Sequence, residues 1–153
     1  MIVADTNTIA YLYLPTDQTD NVVSLLHKDP QWVAPLLWRS EFRNVLSLYV
    51  RKKIIDLDTA IAMQAQAESQ LADNEYTVST MDVLALSQRT GCSAYDCEFV
   101  SLAKSLNLKL ITGDKKLIRA FPGSPCPREI TCEIKQPAIE NTSLRAMKAG
   151  QLK

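Results

Sequence analysis

Histidine is nearly absent: the chain of 153 residues holds one, His27, and its four cysteines, Cys92, Cys97, Cys126 and Cys132, show no CxxC spacing. That scarcity argues against a structural zinc site, and a Ser–His or Cys–His nucleophilic system would rest on His27 alone. His27 lies in an amphipathic stretch and reads as a surface or packing residue. Glycine and proline are also sparse, 4 and 7 residues, beside 46% hydrophobic and 22% charged residues, which excludes collagenous, low-complexity and disordered classes. No apolar run approaches the ~20 residues that cross a bilayer. Asp5 interrupts the first apolar stretch before it could act as a secretory core. The expectation is a cytoplasmic protein with free thiols and no membrane partner.

No repeat and no Gly/Ser-rich linker divides the chain. It reads as one domain over residues 1–134, followed by a weakly patterned extension, 135–153, helical or flexible. At this length folding removes roughly two-thirds of the unfolded chain's surface from water, so no staple is required. The net charge of zero hides an asymmetry: residues 1–80 carry 10 acids and 6 bases, and the remainder 7 acids and 11 bases. A basic face suited to a polyanion is one reading of the second half, and solvated helix surface is the other.

Short apolar β-type runs alternate with longer helix-period segments. Strands are expected at 1–4 (MIVA), 32–34, 76–78 and 109–112 (KLIT), with a further one near 130–134. Helices are expected at 6–14 and 20–27, separated by Pro15, and then from Pro35, as first helical residue, to about Lys53. Another follows over 56–71 with Ile61 and Ala65 on a buried stripe. Ser79-x-x-Asp82 and Ser93-x-x-Asp96 are capping boxes, the first opening a helix that Gly91 closes and the second a helix running through Leu106. Such alternation specifies an α/β fold, a parallel sheet covered on both faces with right-handed crossovers.

The acids are informative through their places. Asp5 follows the first strand, Asp114 follows the KLIT strand, Asp96 lies in the first turn of a helix, and Glu41 in the second turn of another. In an open parallel sheet the strand C-termini and the following helix N-termini share one edge, where ligands bind. Each acid has a plainer role as a cap or a dipole-compatible surface group. Glu41, however, stands four residues after Leu37 and four before Val45, close to the apolar stripe of Phe42, Leu46 and Tyr49. Two carboxylates about 4 Å apart repel by roughly 4 kcal/mol at an effective dielectric near 20, so convergence demands a proton or a cation. Helix N-termini favour the ionised forms, and oxygen-only ligands select hard ions such as Mg²⁺ or Mn²⁺. The chemistry such an ion suits is in-line displacement at a phosphodiester.

With MIVADTN at the start, Glu41 within APLLWRSEFRNVL, and SAYDCEFVSLAKSLNLKLITGD downstream, the chain resembles the PIN-domain ribonucleases, above all the toxins of VapBC toxin–antitoxin pairs. The resemblance covers residues 1–134. It implies a three-layer α/β/α sandwich with a central parallel sheet of four or five strands. It also implies a Mg²⁺- or Mn²⁺-dependent endoribonuclease whose site comprises Asp5, Glu41, Asp96 and Asp114. Asp5 and Asp96 are the first ligands, and Glu41 and Asp114 complete the set directly or through water. Thr6, Asn7, Ser93 and Thr112 match supporting polar positions that orient carboxylates, water or phosphate, while Thr6 and Ser93 have local capping as an equal alternative. Partners implied are RNA, a small antitoxin whose helix lies in an apolar groove, and a second copy of the chain, joined around Trp32, Trp38 and the helix over 56–71.

Lys115, Lys116 and Leu117 follow Asp114 where some relatives carry a further acid, which argues against a second tightly held metal. Lys115, Lys116 and Arg119, with Arg39 and Arg43 beside Glu41, are the residues expected to meet RNA phosphates; solvation or pairing within the chain is their alternative. Cys92 and Cys97 bracket Asp96 but read as small packing residues, not a redox switch. Two other functions stay open: a PIN-like module that binds RNA or protein without catalysis, and a phosphatase with an aspartyl nucleophile. The second would want an acid two residues beyond Asp5, where Asn7 stands.

Overall fold

The computed structural model describes residues 1–121. The expected strand at 130–134 and the extension at 135–153 lie outside the described residues. Four strands form one sheet: β1 (Ile2–Ala4), β2 (Trp32–Pro35), β3 (Glu75–Tyr76) and β4 (Lys109–Ile111), in the order β3-β2-β1-β4. Every pairing is parallel, with Val3 opposite Val33 and Leu110, and Pro35 opposite Tyr76. The central strands are buried on both faces, the usual state of a parallel sheet, and β1 and β2 accordingly read as unbroken apolar runs.

Helices α1 (Thr6–Tyr13) and α2 (Thr19–Lys28) join β1 to β2, while α3 (Leu37–Arg51) and α4 (Leu57–Gln70) join β2 to β3. Both crossovers step the same way across the sheet. Right-handedness therefore puts all four helices on one face, where α1 packs on α2, α3 and α4. Helices α5 (Thr80–Thr90) and α6 (Ala94–Ser105) carry the chain back to β4 and cover the other face, α6 lying on β1, β2 and β4 with α5 against it. A short α7 (Lys115–Ala120) follows β4. Among the described residues no helix is long and apolar enough to cross a membrane.

Most boundaries follow from local chemistry. Asp56, Ser79 and Ser93 cap α4, α5 and α6 through their side chains. Gly91 ends α5 at φ +68°, a left-handed conformation that side chains resist. The core gathers around the fully buried Trp38 and Phe42, with Tyr13 set 5.9 Å from the Phe42 ring.

The structure corrects several expectations. Pro35 ends β2 and does not open α3. The amides of Ala34 and Leu36, on either side of it, donate to Asn74 and Tyr76 of the β3 segment. Alternation turns the Pro35 nitrogen the other way, beyond the last β1 pairing at Val33, so its missing N–H leaves no gap in the ladder. Ile61 and Ala65 are exposed; α4 turns Ala60 and Ala67 inward, small residues that let it approach its neighbours closely. Trp32 and Trp38 are buried, so neither offers a surface for a second copy. Ile54, Leu57 and Ile61 are the large apolar residues that the α3–α4 hairpin leaves exposed. His27 stands exposed in the last turn of α2, as its surroundings implied.

Candidate functional site

The sheet's C-terminal edge collects the acids because every strand points the same way. Asp5 is the residue after β1, and its amide donates to Ile111 at the end of β4. Its carboxylate caps α1 by accepting the Thr8 amide at 2.7 Å. The side chain is buried, and burial pushes the Asp5 carboxyl above the ordinary carboxylate range. Hydrogen bonds from Thr112 and Thr8 oppose that shift, and the charge of Asp114 adds to it.

Thr112, fully buried past the end of β4, ties two of the acids together. Its hydroxyl bonds to Asp5 and also accepts the Asp114 amide at 3.0 Å. Asp114 turns its Oδ1 to the amides of Lys116, at 2.7 Å, and Leu117, at 3.4 Å, capping α7. Glu41 comes from α3, where Phe42, Val45 and Leu46 sink that side of the helix into the core. Thr6, one residue from Asp5, donates its hydroxyl to Glu41 Oε2 at 2.6 Å.

Asp96 reaches the same edge from the opposite face. Helix α6 passes into β4 through a turn at residues 106–108, so it runs antiparallel to the strands and its N-terminus overhangs their C-terminal ends. There Ser93 donates to Asp96 Oδ2 at 2.6 Å while accepting the Asp96 amide at 3.1 Å. Ser93 thus caps the helix and bonds the Asp96 carboxylate at once. Asn7 is half-buried in the first turn of α1.

All these groups are oxygen donors, and a buried carboxylate with a second one acting on it is chemistry that suits a hard divalent cation. Among the described residues, no group of three His, Cys, Asp or Glu side chains is arranged to hold an ion as it lies here. The acids turn instead to nearby amides and hydroxyls, Asp96 and Asp114 to those of their own helix starts, Asp5 to Thr8 and Thr112, and Glu41 to Thr6 of α1.

The basic residues divide. Arg39 takes the intramolecular alternative, donating to Glu75 at 2.6 and 2.7 Å and meeting Glu68 at 3.0 Å. Arg43 is exposed and bonds the Arg39 carbonyl. Lys116 reaches the Gly91 carbonyl at 3.2 Å, bridging the start of α7, which Asp114 caps, to the turn between α5 and α6. Lys115 and Arg119 stand exposed on α7.

Glu75 was not among the expected site residues. It lies 36 residues from Arg39, and no local pattern marks that pairing. Burial, and then the charge of Asp5, push the Tyr11 phenol up to about 12.

The family model described as "PIN domain" matches residues 2–121. Ribonuclease VapC3 of Pyrobaculum aerophilum is 26% identical over 129 residues, spanning 82% of this chain and 98% of that protein. The crystal structure of PAE2754 from Pyrobaculum aerophilum superposes with a TM-score of 0.64 at 18% identity, over 98% of this chain and 90% of the other. A toxin–antitoxin complex from Klebsiella pneumoniae gives 0.58 at 20% identity, over 85% of this chain and all (100%) of the other.

Proposed function

Because the chain belongs to the PIN-domain family, we propose that it is a metal-dependent endoribonuclease, the toxin of a toxin–antitoxin pair, which hydrolyses RNA phosphodiester bonds. The observation that carries this reading is the buried Asp5, linked through Thr112 to Asp114 and adjoining the Thr6–Glu41 bond. A carboxylate raised by burial and by a neighbouring acid calls for a positive counter-charge, and the donor set suits Mg²⁺ or Mn²⁺. The likeness to a ribonuclease of the VapC type supports RNA as substrate.

Asp5 and Asp96 are the first residues to hold the ion, with Glu41 and Asp114 completing the set directly or through water. When bound, the ion supplies Lewis acidity and an activated water for attack at phosphorus. Thr6 and Ser93 hold Glu41 and Asp96 in place, and Thr112 holds Asp5. Asn7 offers an amide to water or a phosphate oxygen. Lys115, Lys116, Arg119 and Arg43 contribute positive charge along the RNA path, whereas Arg39 serves the fold through Glu75. A small antitoxin is the proposed protein partner, a reading supported by the toxin–antitoxin complex among the structural relatives. The exposed Ile54, Leu57 and Ile61 are where a second copy would meet the chain, in a cytoplasmic setting.

Cleavage of a structured RNA by the purified chain, with Mg²⁺ or Mn²⁺ and with a chelator, tests the reading. Asp5→Asn and Asp96→Asn are expected to abolish cleavage while leaving a cooperative melt. Retained cleavage in both variants would remove this site from the reaction. If metal binding, titrated by calorimetry, is indifferent to both substitutions, the catalytically inactive module becomes the better description.

A further inference from the structure

Helix α3 opens without a side-chain cap, because Leu36 at the N-cap position has no hydrogen-bonding side chain. Two residues of its first turn nevertheless converge on one acid. Trp38 donates its indole N–H to Glu75 Oε1 at 2.7 Å, and Arg39 spans both oxygens of the same carboxylate, Nε to Oε1 at 2.6 Å and Nη2 to Oε2 at 2.7 Å. Planar two-point contacts of this kind fix direction as well as distance. Glu75 itself stands on β3, opposite Ala34 and hydrogen-bonded through its neighbours to the end of β2. The strand end, the edge strand and the helix start are therefore one locked unit.

Trp38 and Glu41 are three residues apart and share a helix face. The rotation about the helix axis that seats the indole on Glu75 is the same rotation that turns Glu41 toward Thr6. We infer that Glu75 is a positioning residue for the acidic site, setting the axial rotation of α3 and hence the place of Glu41 without touching substrate or ion. The inference rests on Glu41 being an ion ligand, as proposed above. Its consequence is large for a distant group: a misplacement of about 1 Å costs about 10²-fold in rate, and outer groups that orient ligands commonly change metal affinity by about 10- to 100-fold.

The test is Mn²⁺ binding to the full chain, followed by the paramagnetic signal of the free ion. It compares wild type, Glu41→Gln, Glu75→Gln and the double variant, with thermal melts alongside. Glu75→Gln should weaken binding about 10-fold. In the Glu41→Gln background it should add nothing, because Glu75 acts only through Glu41. Wild-type binding by Glu75→Gln beside a weakened Glu41→Gln overturns the inference alone, as does an equal loss in both backgrounds. Wild-type binding by both single variants overturns the ion reading of Glu41 and the inference with it. Should Glu75→Gln fail to fold, Trp38→Phe decides in the same way, since it removes one donor to Glu75 and keeps an aromatic ring: weaker binding than wild type supports the inference, and unchanged binding overturns it.

Discussion

Thr6 donates its hydroxyl to Glu41 at 2.6 Å across 35 residues of sequence, joining the helix after the first strand to the helix after the second. The bond is short because the acceptor is ionic and partly withdrawn from water. It is also the contact through which the edge of the sheet holds an acid that α3 alone would leave to rotate. Thr6→Val keeps the shape and removes the donor. The expected loss is about 1.5–3 kcal/mol of stability, the range for hydrogen bonds to charged groups, measured by urea titration. Cleavage should fall through kcat, with KM for RNA nearly unchanged.

Asp5→Asn is predicted to separate stability from activity. The folded carboxyl lies above its ordinary value of 3.8. Its stabilising effect is therefore complete below that value and is lost as pH rises through the folded pKa. At neutral pH burial of the acid opposes folding, whereas asparagine still accepts the Thr8 amide. In metal-free buffer Asp5→Asn should melt higher than wild type at pH 7, with the gap closing in acid, and should not cleave RNA. A lower melting temperature at pH 7 would refute the burial argument.

Glu75 has the opposite sign. The hydrogen bond from Arg39 holds its carboxyl below the usual 4.5. The contribution is present above that value and lost as pH falls through the folded pKa. Glu75→Gln should therefore be less stable than wild type at neutral pH, and the difference should shrink as both are titrated below pH ~4.5. Paired urea unfolding curves across that interval check the claim; a constant difference contradicts it.

Lys115 and Arg119 stand exposed beside Asp114. If each meets one phosphate, Lys115→Ala and Arg119→Ala should each weaken RNA binding and reduce the slope of log affinity against log salt by about 0.7, the value per contact on a single strand. Arg39→Ala should instead lower the melting temperature through loss of Glu75 and Glu68 and leave the slope unchanged. A reduced slope for Arg39→Ala would return that residue to the RNA path.

Cys92 and Cys97 are buried, and burial pushes the Cys97 thiol above its ordinary value. A protonated, shielded thiol reacts slowly. Brief alkylation of the native chain at pH 8, read by peptide mass mapping, should leave both unmodified, with full labelling after denaturation. Rapid native labelling of Cys97 would reopen a redox role.

Features that depend on near neighbours in sequence were legible. Ser79 and Ser93 open their helices and Gly91 closes one as read, because a cap acts within a few residues: a side chain bonded to an amide three residues on, or a glycine in the left-handed turn whose own amide reaches back four residues. Asp5, Asp96 and Asp114 stand at helix starts for the same reason. What was misread depends on partners. Pro35 suits a helix start as well as a strand end, and only its pairing with Tyr76 selects the strand. Ile61 and Ala65 fit a helical stripe, yet the inward face of α4 is set by what α1 and α3 present to it.

Alternating apolar period and capping chemistry determined, from the chain alone, that strands and helices would alternate and that acids would sit where strands end and helices begin. Periodicity and caps act over a few residues, so they survive without knowledge of the fold. The strand order joins segments as distant as Ile2 and Lys109, and the bond from Thr6 to Glu41 and the capture of Trp38 and Arg39 by Glu75 join segments about 35 residues apart. Only closure of the sheet brings those segments within reach, because a short-range directional bond exists once both partners have been placed.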